Sequence, residues 1–360
     1  MSYKNFTKII LVIIFTTFLF NLFLWIFFTG QILKNERDFG HGDLARLGYI
    51  KILPALTEQR STIEKHIELE EYINEKEKGK VDILTIGDSF FNKGGGYYFQ
   101  DGIVSEYNKT VLNIKCIPGY EALEMLLVLI NTGLLDEISP KMVVIESVGR
   151  YCIDRYGKEI NIYNDKYKIS KDDFLKNYTI NKNKKNNVSS FFDPRMYQFN
   201  AKYIISNIKA YKFPTKESKV GILDLDYPLF TNPKNEKKLL FYNEDIINIA
   251  AVNYDSVKTM NNNFNNVAEI LDIKNIKFVF MPAVDKYDLY YPHVASNNKI
   301  DNPLFTYLRL LDKKYIFIDT KEILQKSLNK GEKDIYWNDD THWSWKGGSL
   351  VWKELVNHVE

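Results

Sequence analysis

The chain has 360 residues, of which 45% are hydrophobic and 26% charged, enough apolar material for one large globular domain or two small ones. The formal net charge is only +2 and no basic stripe interleaved with aromatic residues is visible, so nucleic-acid binding is not expected. The two cysteines, Cys116 and Cys152, form no C-x-x-C motif, which argues against a zinc or thioredoxin-type site. Their spacing leaves open whether they are two buried thiols or a disulfide.

An apolar segment near the N-terminus predicts a membrane anchor. Residues Ile9 to Phe28 are interrupted only by Thr16, Thr17 and Asn21, and about 20 such residues cross a hydrocarbon core. A signal peptide has a shorter apolar core and a small-residue cleavage site, and no A-x-A motif follows here. We therefore expect an uncleaved anchor in residues 1–35, with a cleaved signal as the alternative. Basic residues flank the segment on both sides, so charge alone predicts little about its orientation.

The rest of the chain predicts a stalk followed by one α/β domain. Polar residues 36–80 indicate a solvated helical stalk, and the domain is expected over 81–360. Short apolar runs predict buried strands at 81–86, 111–116, 142–145, 276–281 and 315–318. Helical patterns lie between them or follow them, at 121–135, 243–271, 303–312 and 344–358. This alternation is typical of a parallel sheet covered on both faces. Residues 165–240, rich in Lys and Asn, predict an insertion or lid.

A serine follows the first predicted strand of the domain. In parallel sheets, functional residues gather at the carboxyl ends of the strands. The first strand leads into residues 87–90 (GDSF), where a tight turn exposes the hydroxyl of Ser89 and the following backbone N–H groups face a developing negative charge. Ser89 is therefore a candidate nucleophile, and a helix-capping serine is the alternative. The glycine-rich residues 93–96 behind it predict a mobile lip, and Asp88 is expected to have a structural role.

A serine nucleophile needs a base. Among the five histidines, His342 is the best placed, because Asp340 precedes it by two residues in the segment DDTHW. One loop can then hold both an imidazole and the carboxylate that orients it, as in a catalytic triad. The alternative is a surface loop that caps the helix beginning near Ser344.

Short blocks around these residues resemble the SGNH (GDSL-like) hydrolase superfamily. The first is residues 86–90 (IGDSF), and the last is residues 340–343 (DTHW), followed by 346–348 (KGG). The D-x-H-W form resembles the alginate O-acetyltransferase-like branch and the related DHHW proteins. Residues 143–150 (VVIESVGR) and 282–290 (PAVDKYDLY) are also similar to segments of that branch. The layout of anchor, early serine and late Asp-His resembles the D-alanyl transfer protein of teichoic acid biosynthesis.

The resemblance implies a three-layer α/β/α domain in which Ser89, His342 and Asp340 form the triad and an acyl-serine forms during turnover. Gly119 is the counterpart of the family's oxyanion-hole glycine, beside the backbone N–H of Ser89. The asparagine of the family's third block is missing, and the chain has Glu146 to Arg150 there. Arg150 then either helps to hold the oxyanion or pairs with Glu146. Four side chains are expected to bind substrate, with core packing as the alternative for the aromatic ones: Trp343, Trp337, Tyr290 and Lys286.

The resemblance also implies a function, a location and partners. The expected protein is a single-pass, extracytoplasmic O-acyltransferase at the cell membrane that acetylates a cell-surface or secreted polysaccharide. Its partners would be a glycan acceptor and a polytopic membrane-bound O-acyltransferase that delivers the acyl group. No metal or nucleotide motif is visible, so we expect neither a metal nor a cofactor. Two alternatives stay open: an extracytoplasmic carbohydrate esterase, and a non-catalytic glycan-binding scaffold of a polysaccharide export complex.

Overall fold

The computed structural model describes residues 2–30, 42–44, 64–75, 79–182, 191–193, 196–212, 219–233, 235–296 and 299–359. The strands in chain order are β1 (Ile67–Glu68), β2 (Ile83–Gly87), β3 (Val111–Lys115), β4 (Met142–Val148), β5 (Val220–Asp224), β6 (Lys238–Tyr242), β7 (Lys277–Ala283) and β8 (Ile316–Phe317). Six of them form one parallel sheet in the order β1-β3-β2-β4-β7-β8, and β5 and β6 form an antiparallel hairpin. The predicted α/β class with a parallel sheet is confirmed.

Fourteen α-helices occur in the described residues. They are α1 (Tyr3–Leu24), α2 (Leu69–Asn74), α3 (Phe99–Tyr107), α4 (Ala122–Asn131), α5 (Leu134–Ile138), α6 (Gly149–Tyr156), α7 (Lys171–Lys182), α8 (Met196–Lys212), α9 (Glu244–Ile247), α10 (Tyr254–Ile273), α11 (Lys286–Tyr290), α12 (Leu304–Leu310), α13 (Thr320–Asn329) and α14 (Trp345–Val356). Side chains fix where several begin: the Ser344 hydroxyl accepts from Gly347 N at the start of α14, and Glu121 and Glu124 form a capping box on α4.

The central strands form the middle of the core. Every residue of β2 and β4 is buried, including the polar Thr85, Glu146 and Ser147. Strands buried on both faces read as continuous apolar runs, which is why the sequence pattern located them. Strand β4 extends to Val148, three residues beyond its predicted end, because Glu146 and Ser147 continue the pairing with β7.

Several elements differ from the sequence-based predictions. Residues 64–75, expected in a solvated stalk, contribute β1 to the sheet edge beside β3 and the helix α2, whose Leu69 and Tyr72 are buried. The helix predicted at 243–271 is interrupted before Asn253, whose side chain caps α10 by accepting from Ser256 N. Helices α3, α6, α11 and α13 lie outside the predicted helical ranges. The expected insertion contains α7, α8 and the β5–β6 hairpin. Residues 36–41, 45–63, 76–78 and 183–190 lie outside the described residues.

The predicted anchor is a helix of suitable length and composition. Helix α1 and the π-helical turn Trp25–Thr29 that continues it form one helix over Tyr3–Thr29, 27 residues, long and apolar enough to cross a membrane. Of the 18 most apolar consecutive residues of this helix, only 6% are buried inside the protein. A helix of about 20 residues spans 30 Å, so this one exceeds the hydrocarbon core in length.

Candidate active site

Ser89 lies at the point where the chain changes direction across the sheet. From β2 the chain passes to β3 on one side and then to β4 on the other side of β2. The carboxyl end of β2 is therefore a topological switch point, where open α/β sheets bind their ligands. Ser89 follows that strand by two residues, and its side chain is exposed to solvent whereas the neighbouring Phe90 is buried.

The structure brings the three predicted triad residues together, although Ser89 and His342 are 253 residues apart along the chain. His342 Nε2 lies 2.7 Å from Ser89 Oγ, and His342 Nδ1 lies 2.6 Å from Asp340 Oδ1. The same Asp340 oxygen also accepts from the backbone N–H of His342 at 2.9 Å. A hydroxyl, an imidazole and a carboxylate thus form one continuous hydrogen-bonded chain, with the hydroxyl at its exposed end.

The electrostatics of the hydrogen-bonded triad suit His342 as a general base. Burial would lower the pKa of His342, but the adjacent carboxylate of Asp340 and its hydrogen bond outweigh burial and raise it. Burial likewise opposes ionisation of Asp340, yet the imidazole of His342 and the hydrogen bonds it receives lower the pKa of this carboxyl to about 2. Asp340 is therefore ionised at neutral pH and stabilises an imidazolium when His342 takes up a proton.

A second carboxylate, from Asp43, reaches the catalytic loop from close to the anchor. Asp43 accepts from the backbone N–H of Thr341 at 2.8 Å and from its hydroxyl at 2.5 Å. Its Oδ2 lies 3.7 Å from His342 Nδ1. The neighbouring Gly42 N donates to Asp339 Oδ2 at 3.0 Å. Sequence reasoning missed Asp43, because no local pattern around it predicts a contact with a loop nearly 300 residues away.

The turn that carries Ser89 is fixed by charged groups beneath it. Asp88 accepts from Val148 N at 2.9 Å and pairs with Arg155 at 2.7 Å, which joins the nucleophile turn to the end of β4. Arg155 and these hydrogen bonds lower the pKa of Asp88 against the effect of its burial. Glu146 accepts from Asp88 N at 2.8 Å, and a Cβ at Gly87 would collide with the Glu146 carboxylate. Asp88 thus makes the structural contacts expected of it, and Gly87 is required by close approach.

The predicted oxyanion hole consists of two backbone N–H groups. Within the described residues, those of Ser89 and Gly119 donate to no other group. Gly119 is exposed, lies in the loop after β3, and has a positive φ of 95°, a conformation that glycine adopts without strain. Oxyanion holes of acyl-transfer enzymes consist of such unpaired N–H donors.

Arg150 has different partners from the one considered in the sequence analysis. Its Nη1 donates to Asp285 at 2.8 Å and to Asp245 at 3.1 Å, and both carboxyl groups are buried. Among the described residues, Arg150 forms no ion pair with Glu146. The Glu146 carboxyl lies under the turn that carries Ser89 and accepts from Asp88 N. An oxyanion role for Arg150 stays a prediction.

Lys286 holds the catalytic loop and is not available to a substrate. Its Nζ is fully buried and donates to three backbone carbonyls of the loop that carries Asp340, at 2.6 Å to Trp337, 2.8 Å to Asn338 and 3.0 Å to Asp340. Burial lowers the pKa of Lys286 to about 8. The prediction that this side chain binds substrate is corrected: an ammonium with all three protons engaged by the protein is a positioning group.

The predicted aromatic platform is also buried. Trp343 is 1% exposed and packs edge-on against Phe90, with ring centroids 4.5 Å apart. Tyr290 has no exposed surface and stacks on Phe230. Trp337 is 4% exposed, and its indole N–H donates to Gly95 O at 3.0 Å. Core packing, the alternative for each ring, describes these residues, since none presents a ring face on which a sugar can stack.

The glycine-rich segment after Ser89 packs against the triad. Gly94 N donates to Ser89 O at 2.6 Å, and a Cβ at this position would collide with the His342 ring and with the Ser89 carbonyl oxygen. Gly95 approaches Trp337 and the backbone of Trp343. The segment expected to be a mobile lip therefore packs directly against the His342 ring, and only glycine fits at residue 94.

Other reactive groups are poorly placed for chemistry. Both cysteines are free thiols, and burial raises the pKa of Cys116 to about 12, so it is not a thiolate at neutral pH.

Side-chain atoms of Asp43, Asp340 and His342 lie within 4.8 Å of one another, a spacing that a cation could bridge. The same atoms make the hydrogen bonds of the triad and of Thr341, which account for their proximity.

No protein-family model matches the chain, and no curated protein matches it. Its function is therefore inferred from the geometry of the site.

Proposed function

We propose that this chain is a membrane-anchored serine acyl-transfer enzyme that works through an acyl-serine at Ser89. The observation that carries the proposal is the hydrogen-bonded chain from Ser89 Oγ through His342 to Asp340. Neutral serine is a poor nucleophile, and an imidazole held at hydrogen-bond distance by an ionised carboxylate is the arrangement that activates it.

The reaction proceeds in two balanced halves. Ser89 Oγ attacks the acyl carbonyl while its proton passes to His342 Nε2, and the oxyanion is held by the backbone N–H groups of Ser89 and Gly119. His342 then gives the proton to the leaving oxygen, and the acyl-serine remains. A hydroxyl group of the acceptor loses its proton to His342, attacks the acyl-serine, and Ser89 regains its proton as the ester product leaves. Losing one oxyanion donor typically lowers the rate by about 10²–10³-fold.

The fold and the resemblance favour an SGNH-like enzyme of the O-acetyltransferase type. From β2 onward the strand order β3-β2-β4-β7-β8 is doubly wound, and right-handed crossovers in such an order place helices on both faces of the sheet. A three-layer domain with its nucleophile at the switch point is what the resemblance implies. The end of β4 and the start of α6 carry Glu146 and Arg150 in place of the hydrolases' asparagine, which favours transfer to a glycan hydroxyl over plain hydrolysis.

Membrane attachment defines the setting of the proposed reaction. The apolar helix Tyr3–Thr29 would hold the catalytic domain on the extracytoplasmic face. Gly42, only 12 residues beyond Gly30, already contacts the catalytic loop. At no more than about 3.6 Å per residue, the loop lies within roughly 43 Å of the end of the anchor helix. A polytopic membrane-bound O-acyltransferase that delivers the acyl group to this distance is the expected partner, and a cell-surface or secreted polysaccharide the acceptor.

The test is to follow both fates of the acyl group. The full chain in detergent micelles would receive an aryl acetate and a panel of oligosaccharides, with aryl alcohol release and glycan mass measured together. Acetylated glycan that increases with acceptor concentration and disappears in Ser89→Ala supports the transferase, and Ser105→Ala, at an exposed serine, is the matched control. Aryl alcohol release without glycan product would establish the esterase instead. Two results together would establish the scaffold. Folded protein would support neither reaction, and the Ser89→Ala variant would fully restore glycan acetylation in cells that lack the protein.

A further inference from the structure

A second apolar surface lies beside the anchor helix. It consists of residues 191–193 and helix α8. Aromatic rings join it to the anchor: Phe191 packs edge-on against Phe18, with ring centroids 5.5 Å apart, and Tyr203 lies 6.2 Å from Phe28. Phe191 also lies 6.4 Å from Trp25. These contacts cover the C-terminal part of the apolar helix that is long enough to cross a membrane.

A buried polar cluster fixes α8 against the anchor. Asn200 is 1% exposed, and its Nδ2 donates to Asn21 O at 3.1 Å while its Oδ1 accepts from the Thr29 hydroxyl at 2.6 Å. Thr29 has no exposed surface. In an apolar environment such groups stay inside only when they satisfy one another, and side-chain amides and hydroxyls join helices within membranes in this way. Because Asn21 lies inside the apolar segment, Asn200 lies at the depth of that segment.

Exposed apolar side chains of α8 follow one face of the helix. Tyr197, Ala201, Ile205 and Ile208 are all exposed and follow one another at i, i+4, i+8 and i+11, the spacing of one helix face. Phe192, just before the helix, is 86% exposed. We call these five residues the apolar stripe. Gln198 and Lys202 are exposed and lie off it around the helix.

We propose that residues 191–193 and α8 are embedded in the lipid bilayer beside the anchor helix, so that two elements hold the chain at the membrane. The helix that carries the apolar stripe packs against a helix whose side chains are exposed over residues 3–20, and Asn200 joins the two helices at Asn21 and Thr29. An amphipathic helix with aromatic residues on its apolar face and lysine off it is typical of an element lying in the membrane interface. The occupant of the stripe is therefore lipid.

This second attachment has a consequence for the domain. A single helix leaves a catalytic domain free to tilt and rotate over the membrane, whereas a second attachment restricts how far the domain can move from the membrane surface. The proposal does not depend on the chemistry at Ser89.

The test is to measure the environment of single spin labels on the full chain in phosphatidylglycerol–phosphatidylcholine vesicles. Labels at Ile205→Cys and Ile208→Cys report on the stripe, and a label at Lys202→Cys, off the stripe on the same helix, is the matched control. Protein with only the native cysteines, labelled in parallel, supplies the background. All three positions are exposed, so the fold should tolerate the changes, and far-UV circular dichroism checks this.

The proposal predicts that the stripe labels collide readily with oxygen and that their collision rate with a water-soluble nickel chelate falls several-fold below that at residue 202. Ready access of nickel to residues 205 and 208 would place the stripe in water and overturn the proposal. Protection of both positions from oxygen and nickel alike would also overturn it, since the stripe would then be covered by protein, either a partner or a second copy.

Discussion

Removing the ammonium group of Lys286 tests whether the catalytic loop is held from beneath. Lys286→Met keeps most of the side chain's volume but leaves the carbonyls of Trp337, Asn338 and Asp340 without their donor. Three buried carbonyls at about 1–3 kcal/mol each would cost about 3–9 kcal/mol. The substitution also removes the cost of burying a charged group. Because burial lowers the pKa of Lys286 to about 8, this gain offsets about 3 kcal/mol of the loss. We therefore expect the free energy of unfolding to fall by about 3 kcal/mol.

The effect on turnover should be larger than the effect on substrate binding. Asp340 loses one support of its backbone, and a displacement near 1 Å at a reacting group typically costs about 10²-fold in rate. We expect a loss in kcat of that order with little change in KM, measured by ester turnover, and the stability loss by urea unfolding of the full chain in micelles.

Lys321→Met is the matched control. Lys321 is mostly buried and pairs with Asp288 on the same helix as Lys286, but it donates no bond to the catalytic loop. This variant should lose stability and keep its kcat. Wild-type turnover in Lys286→Met, or an equal loss of turnover in Lys321→Met, would refute the positioning role.

Three further predictions concern the triad and its surroundings. Because His342 must be neutral to accept a proton and its pKa is raised, kcat/KM should rise with pH through a value above the ordinary 6.5. Asp340→Asn should move that limb to lower pH and cut the rate by about 10⁴-fold, and an unmoved limb would contradict the assignment of the base. Gly94→Ala should lower turnover because its Cβ meets the His342 ring, whereas Gly79→Ala, with open space around it, should leave turnover unchanged; equal turnover of the two would remove the steric argument. Asp43→Ala should cost about 2 kcal/mol of stability by leaving Thr341 unpaired, and should lower the pKa of His342 by less than Asp340→Asn does. Urea denaturation checks the stability and a pH–rate profile checks the pKa; a shift as large as that of Asp340→Asn would contradict the assignment of Asp340 as the principal carboxylate beside His342.

The sheet and the triad were accessible from the sequence because their signals are local. Strands β2, β3 and β7 are apolar runs, and Asp340 and His342 lie on one short loop. Strand β1 was not accessible, since two residues at a sheet edge leave no periodic pattern and its partner is more than 40 residues away. Helix α13 does carry a local signal: Asp319 caps it, and Leu324 and Leu328 recur on one face.

Burial of particular side chains could not be read from the sequence. Trp343, Tyr290 and Lys286 have the residue types of a carbohydrate site, and only the packing of distant elements around them shows that they are enclosed. The contacts of Asp43 and of Asn200 likewise join segments separated by about 300 and 180 residues, and no pattern within either segment encodes its partner.

The most direct test of the central claim is to trap the acyl-serine. The full chain in micelles would be exposed to an activated acetyl ester, and intact-mass spectrometry with peptide mapping would locate the adduct, with Ser89→Ala and His342→Ala measured beside it. We predict one acetyl group on Ser89 in the wild type and none on that peptide in either variant. Folded wild-type protein without an adduct, or an adduct on Ser89 that forms equally fast in His342→Ala, would contradict the proposed chemistry.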